Sequence, residues 1–457
     1  MTSPISRSTL SPSIRRSAGL KLILICALVL LMAIPAMFIG AISYERSSAA
    51  NQVTQDVSQR YGGQQTVMGP ILSLPYEKTR ADGTQQTGHY ILYPDQGQAD
   101  FKSVEVTTKM QSLYKVPIYE AVGHLQANFD DLAVKLKGTG LTLKPEEARF
   151  LISISDVRGL KNDIRLKGPN GTNLLFEPAD ESLQNRAVTS GQTHLPLPRV
   201  GQWLSVPAKS LMSQTGGLSV SAELHFSGAQ SLSIPPFGKS TKISLNSNWP
   251  DPGFQGEFTP TERDISEAGF TANWTMPYLS RGIRGQGQAQ DVLPGLTSNM
   301  VRVKFVNTNN PYQTVNRALK YSVLFIGMVF LAYFLFEIIV GTPVHPAQYI
   351  LVGLAQAIFY LLLLAFAERV GFGLAFTISA GLTVAITAGY AGIVFGDRHY
   401  IWTAGSVFAV VYGLLFVLMR IEDFALMVGA LASFIAIAAT MYLTRNVDWY
   451  AGNQAES

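Results

Sequence analysis

"VHPAQYILVGLAQAIFYLLLLAFAE", residues 344–368, is apolar almost without interruption between a His-Pro pair and a carboxylate. A charge-free run of this length is what a helix needs to cross a bilayer, about 20 residues at 1.5 Å each. Four similar runs surround it, at 319–340, 372–391, 401–419 and 424–443, with the present one covering 348–367. Their connections, "GTPVHPA", "ERVG", "GIVFGDRHY" and "RIED", are short and polar, so neighbouring runs pack antiparallel as a five-helix bundle. The composition agrees: 47% of the 457 residues are hydrophobic and only 14% charged, the balance of a membrane class.

A sixth run, 20–42, lies near the start and is flanked by Arg15, Arg16 and Lys21. It is longer than the apolar stretch of a cleaved signal peptide, about 7–15 residues, although "FIGAIS" offers a small-residue cleavage site. The reading adopted is an uncleaved anchor, kinked at Pro35. The Ser/Pro-rich tail 1–19 is expected to be disordered. After the anchor no Gly or Pro occurs until Gly62, and Ala50, Val53, Val57 and Tyr61 recur at helical spacing, so residues 43–63 read as a helical stalk.

Between 64 and 310 the texture changes to short alternating runs broken by Gly, Pro and Asn. In "LSVSAELHF" Leu218, Val220, Ala222, Leu224 and Phe226 share one face, while Ser219, Ser221, Glu223 and His225 share the other. That two-residue period is that of a half-buried strand. "RFLISIS" and "VRVKF" repeat it, and the region reads as an antiparallel β-sandwich-like body of one lobe or two. The expected fold class is therefore α+β: an anchor, a large β body, then the bundle, with a closing tail at 444–457. Six spans put both termini on one side, and the Arg/Lys cluster places them in the cytoplasm, with Arg398 and Arg445 agreeing and Arg369 and Arg420 opposed. The β body is then exported.

The net charge of +4 includes no long basic run, so nucleic acid is not an expected partner. Cys26 alone permits no intramolecular disulfide and no thiol-rich metal site. "SLYK" (112–115) has the S-x-x-K form of penicillin-binding enzymes but lacks a K-T-G partner, and "FGKS" (237–240) lacks the first glycine of a phosphate loop. No H-E-x-x-H or G-x-S-x-G is present, and the six histidines are widely separated. Neither a catalytic residue nor a cofactor is expected.

Two sets of residues remain as candidates. Trp249, Trp274 and Arg281, in "NWPDPGF" and "NWTMPYLSRG", either form an exported recognition surface or pack a β core beside proline turns. Within the bundle the polar residues are few: Glu337 about one turn from its helix end, His345 before the quoted run, and Gln356 near its middle. An ion pathway requires ionisable groups in the spans, and Gln356 is uncharged, so a packed bundle is the simpler reading. Neutral lipid-like cargo remains compatible with it.

The order of motifs resembles the CreD family of bacterial inner-membrane proteins. "YGGQQTVMGPILSLPY", "LYKVPIYEA", "ISISDVRGL", "SNWPDPGFQGEF", "GFTANWTMPYLSRG", "NRALKYSVLFIGMVFLAYFLFE", the opening stretch and "YLTRNVDWY" follow in family order. "FEPAD" (176–180) departs from the Phe-x-Pro-Gly form expected there. The resemblance implies a multi-pass inner-membrane protein that maintains cell-envelope integrity and is linked to β-lactam or colicin response and to two-component signalling. It implies no catalytic residues. The partners expected are the lipid bilayer and an unidentified envelope component or partner protein. A transporter or lipid-handling protein using the bundle, and an envelope-polymer hydrolase, are the alternatives.

Overall fold

A computed structural model describes residues 18–79, 83–111, 114–136, 139–179, 192–194, 201–212, 216–305, 311–421 and 424–445. The tails expected at 1–19 and 444–457 lie almost wholly outside them. The chain divides into two compact units, Asn51–Thr308 and a second made of Met1–Ala50 with Asn309–Ser457.

In the second unit and its continuation, six helices among the described residues are long and apolar enough to cross a membrane. The first runs as Ala18–Leu31 and Ala33–Arg60, interrupted at Met32. Pro35 supplies the cause: it has no N–H for the carbonyl of Leu31, and its ring crowds that carbonyl. The other five are Ser322–Val340, Pro346–Val370, Phe372–Phe395, His399–Arg420 and Ala425–Thr444. The second and fourth spans end on Gly341 and Gly396, whose left-handed φ of 74° and 78° lets each N–H close the last turn. A core of Ile25, Met32, Phe330, Tyr333, Tyr349, Val352, Phe395 and Phe408 joins the first five spans. Before the second span a short amphipathic helix, Pro311–Lys320, buries Tyr312, Val315 and Ala318. Tyr312 donates to Glu368 at 3.0 Å and Arg317 to the Met419 carbonyl at 3.3 Å, so this helix is fastened to the ends of the third and fifth spans.

The β unit has two sheets among the described residues. The larger runs Pro252–Gly256, Val301–Phe305, Ser231–Ile234, Gln65–Thr79, Arg149–Ile154, Gln202–Pro207, Glu177–Pro178, with short strands off this path. The smaller runs Glu262–Ser266, Gly269–Met276, Ser240–Ser247, Gln96–Gln111, Tyr114–Phe129, Leu218–Ala229, Arg165–Lys167, Asn173–Leu175. The inner faces close on one contiguous core. Aromatic pairs cross it: Phe129 meets Phe150 at 5.8 Å, Tyr119 meets Phe305 at 5.0 Å, and Phe254 meets Trp274 at 5.8 Å.

The expectation of antiparallel pairing needs one correction. Among the described residues three pairs are parallel: Gln65–Thr79 with Ser231–Ile234, Gln85–Leu92 with Gln192–His194, and Gln96–Gln111 with Ser240–Ser247. Each joins segments about a hundred residues or more apart, a separation that accommodates the crossover a parallel pair needs. The helix end also docks: Val57 packs with Val116, Ile118 and Ala229, with Val53 and Tyr61 beside them, and Ser58 accepts a 2.7 Å hydrogen bond from Gln230.

Candidate functional site

Glu337 lies one turn before Gly341 and is 8% exposed. Three donors converge on it. Lys21 of the first span bonds Oε1, the backbone N–H of Val344 reaches the same oxygen at 3.0 Å, and the Tyr349 hydroxyl reaches Oε2 at 2.9 Å. The turn between the second and third spans therefore folds around the carboxylate, and the pair with Lys21 adds the first span to the knot. A buried charge is tolerable only when paired and hydrogen-bonded in this way. The Tyr349 ring continues the arrangement onto Phe330 at 5.7 Å and Tyr333 at 6.4 Å. Tyr333 stacks on Phe408 and donates to the Thr387 carbonyl at 2.5 Å. Glu337 is thus a clamp on the helix ends.

Gln356 is also buried, and its Oε1 accepts from Tyr412 at 2.6 Å, which ties the third span to the fifth. Its Nε2 has no partner among the described residues. His345 is not in the bundle interior. It is the exposed N-cap of the third span, its Nδ1 accepting from Ala347 at 3.2 Å while Gln348 accepts from its backbone N–H at 2.8 Å. Glu337, His345 and Gln356 therefore sit at separate nodes and do not form one polar path.

The proposed recognition surface of Trp249, Trp274 and Arg281 is overturned by burial. Trp274 is 1% exposed, donates to the Phe258 carbonyl at 3.2 Å and packs against Phe254. Trp249 is half-buried against the same core. Arg281 is fully buried, its guanidinium 4.0 Å over the Tyr93 ring and its Nη1 donating to the Gly238 carbonyl at 2.9 Å. Nε and Nη2 have no partner among the described residues. Burial pushes the Arg281 pKa below its ordinary value, opposed by the phenol rings of Tyr93 and Tyr278. The reason is local: the alternation that buries Phe270, Ala272 and Trp274 in Gly269–Met276 continues into a turn whose arginine pins "FGKS" instead of facing water.

A groove that sequence reasoning missed lies on the β unit, with a volume of about 800 Å3. Ile164, Phe176, Trp203 and Leu204 form its buried floor, and Lys161, Asn162, Asp163 and Gln202 its exposed rim. The rim is shaped by His225, whose N–H donates to Asn162 at 3.0 Å and whose carbonyl accepts from Lys161 at 2.8 Å. An apolar floor with a few polar groups at the edge is the usual build of a ligand pocket, and the volume lies within the customary range of about 300–1,000 Å3. "GQWLSVP" carried a signal, a tryptophan in a strand, but nothing in it marked a concavity. Among the described residues no group of three or more His, Cys, Asp or Glu gathers as metal ligands would.

Six apolar spans, a β unit with its own core, and polar nodes that fasten helices together define a multi-pass membrane protein with a large β body. The family model described as "Inner membrane protein CreD" matches residues 17–450. The inner membrane protein CreD of Escherichia coli (strain K12) is 30% identical over 442 residues, covering 93% of this chain and 92% of that protein. The chain belongs to the CreD family of inner membrane proteins.

Proposed function

We propose that this protein maintains envelope integrity as a non-catalytic binding protein. Its β unit would lie in the periplasm, both termini would be cytoplasmic, and the groove floored by Trp203 would take an envelope component or a partner protein. The groove is the observation that carries this reading, because it joins an apolar floor to a rim of one cation, one anion and two amides. Such a lining suits a neutral or zwitterionic ligand with both apolar faces and amide or hydroxyl groups. The orientation is supported by the Arg/Lys bias of the termini. The envelope-stress association, with β-lactam or colicin response and two-component signalling, is what membership of the family suggests for this binding.

Photo-crosslinking amino acids placed singly at Asn162 and Gln202 in the full-length protein in cells test it, with Glu262 on an exposed strand as control. The expected result is a discrete adduct at the groove positions and not at Glu262. Identical patterns at all three would remove the groove's role. In the same cells lacking Cys26, Ser103→Cys should react with an impermeant thiol reagent and Asp397→Cys should not; the reverse would overturn the orientation. Turnover of a β-lactam or of peptidoglycan by the purified protein would replace binding with hydrolysis.

A second reading, transport of neutral cargo by the bundle, has one observation in its favour: the Gln356 amide nitrogen, which has no partner among the described residues. Solute or lipid movement in vesicles that is lost on Gln356→Leu would support it.

A further inference from the structure

We infer that the membrane unit holds an anionic glycerophospholipid in a groove between the first span and the junction of Pro311–Lys320 with the second span. The inference is independent of the groove on the β unit. The site has a volume of about 300 Å3 and is lined by Ala33, Ala36, Met37 and Gly40 on one side and Asn316, Leu319, Lys320 and Val323 on the other, with Ser322 completing it. The first set repeats as i, i+3, i+4, i+7 along one face of Ala33–Arg60, and the second keeps that spacing across the junction, from Asn316, Leu319 and Lys320 to Val323 of the second span.

The chemistry is graded along the groove. Small residues on the first span keep it open: a Cβ added at Gly40 would meet nothing within 4 Å. This apolar wall suits an acyl chain. The other end carries Lys320, which is exposed, and Asn316, and neither side chain has a hydrogen-bond or ion-pair partner among the described residues. The helix that presents them buries Tyr312, Val315 and Ala318 along an adjoining face and is fastened through Tyr312 and Arg317, so the cation is held on a fixed support. A lysine beside an apolar cleft between spans recognises a phosphate headgroup, whereas a soluble anion would gain nothing from the apolar half. The second span runs from this site to Glu337 at its far end, so the two cationic side chains, Lys320 here and Lys21 there, serve opposite membrane faces.

Native mass spectrometry of the full-length protein in detergent tests this, with phosphatidylglycerol and phosphatidylcholine as probes. Phosphatidylglycerol should be retained preferentially, and Lys320→Gln should lower its retention about five-fold, the value of one lysine near a lipid phosphate. Lys242→Gln, on an exposed strand position of the β unit, should leave it unchanged. Gly40→Leu should fill the groove and reduce retention of both lipids with an unaltered melting temperature. Equal retention of the two lipids by the unsubstituted protein, or equal losses from Lys320→Gln and Lys242→Gln, would overturn the site. Should Gly40→Leu fail to fold, the comparison of the two lysine variants decides alone.

Discussion

Glu337 shows at the scale of one residue what the sequence left open. A carboxylate near a helix end reads equally as a snorkelling surface group or as part of a pathway, because its partners come from positions 316 residues before and 12 after it. Only the fold brings Lys21, Val344 and Tyr349 to one point. The asymmetry of these bonds gives a prediction. Glu337→Ala leaves an unpaired ammonium, an unsatisfied N–H and an unsatisfied hydroxyl, and should cost about 3–5 kcal/mol. Lys21→Met removes the counter-charge but leaves the carboxylate its two neutral donors, so its loss should be smaller, about 2 kcal/mol. The double variant should cost less than the sum in a series of thermal melts in detergent. Strict additivity, with equal single losses, would remove the clamp. Arg281 is the opposite case at this scale. Its charge suggested a surface, and an aromatic ring and a turn carbonyl took it into the core.

At the scale of elements, periodicity was a good guide wherever the environment of one segment decides its structure. The six apolar runs are six helices, and the Val53, Val57, Tyr61 spacing marks the face that packs on the β unit. Leu218–Ala229 buries Leu218, Val220, Ala222, Leu224 and Phe226 and turns Ser219, Glu223 and His225 outward, as its alternation predicts. Pairing partners were not legible, since alternation fixes which side chains face inward but carries nothing about the strand alongside. The parallel pairs and the groove both arise from such neighbours. The facing itself is testable. Leu224 is fully buried, so Leu224→Asp should abolish the cooperative melt of the β unit by placing an unpaired carboxylate in the core. The His225 side chain is 43% exposed and 4.0 Å from Glu120, so His225→Ala should change stability by no more than about 0.5 kcal/mol. Comparable damage from both would reverse the strand's facing.

At the scale of the whole molecule, the division at residues 50/51 and 308/309 implies that the β unit folds without the membrane. Among the described residues its core draws on both sheets and on none outside 51–308. A soluble chain of residues 51–308 should therefore give a β-rich circular dichroism spectrum and a cooperative melt. The helix end within it tests the division more sharply. Starting the chain at Gln64 would strip Val53, Val57 and Tyr61 from Val116, Ile118 and Ala229, and would remove the Ser58 acceptor of Gln230. Losing the equivalent of one or two buried Val-sized side chains costs about 2–3 kcal/mol, and each kcal/mol lowers Tm by about 2–4 °C in a domain of this size. The shorter chain should still fold, with a melt lower by about 4–12 °C. A cooperative melt in neither chain would mean that the β unit needs the bundle. Equal melts would mean that the helix end contributes nothing to the body, and that residues 51–63 belong with the anchor.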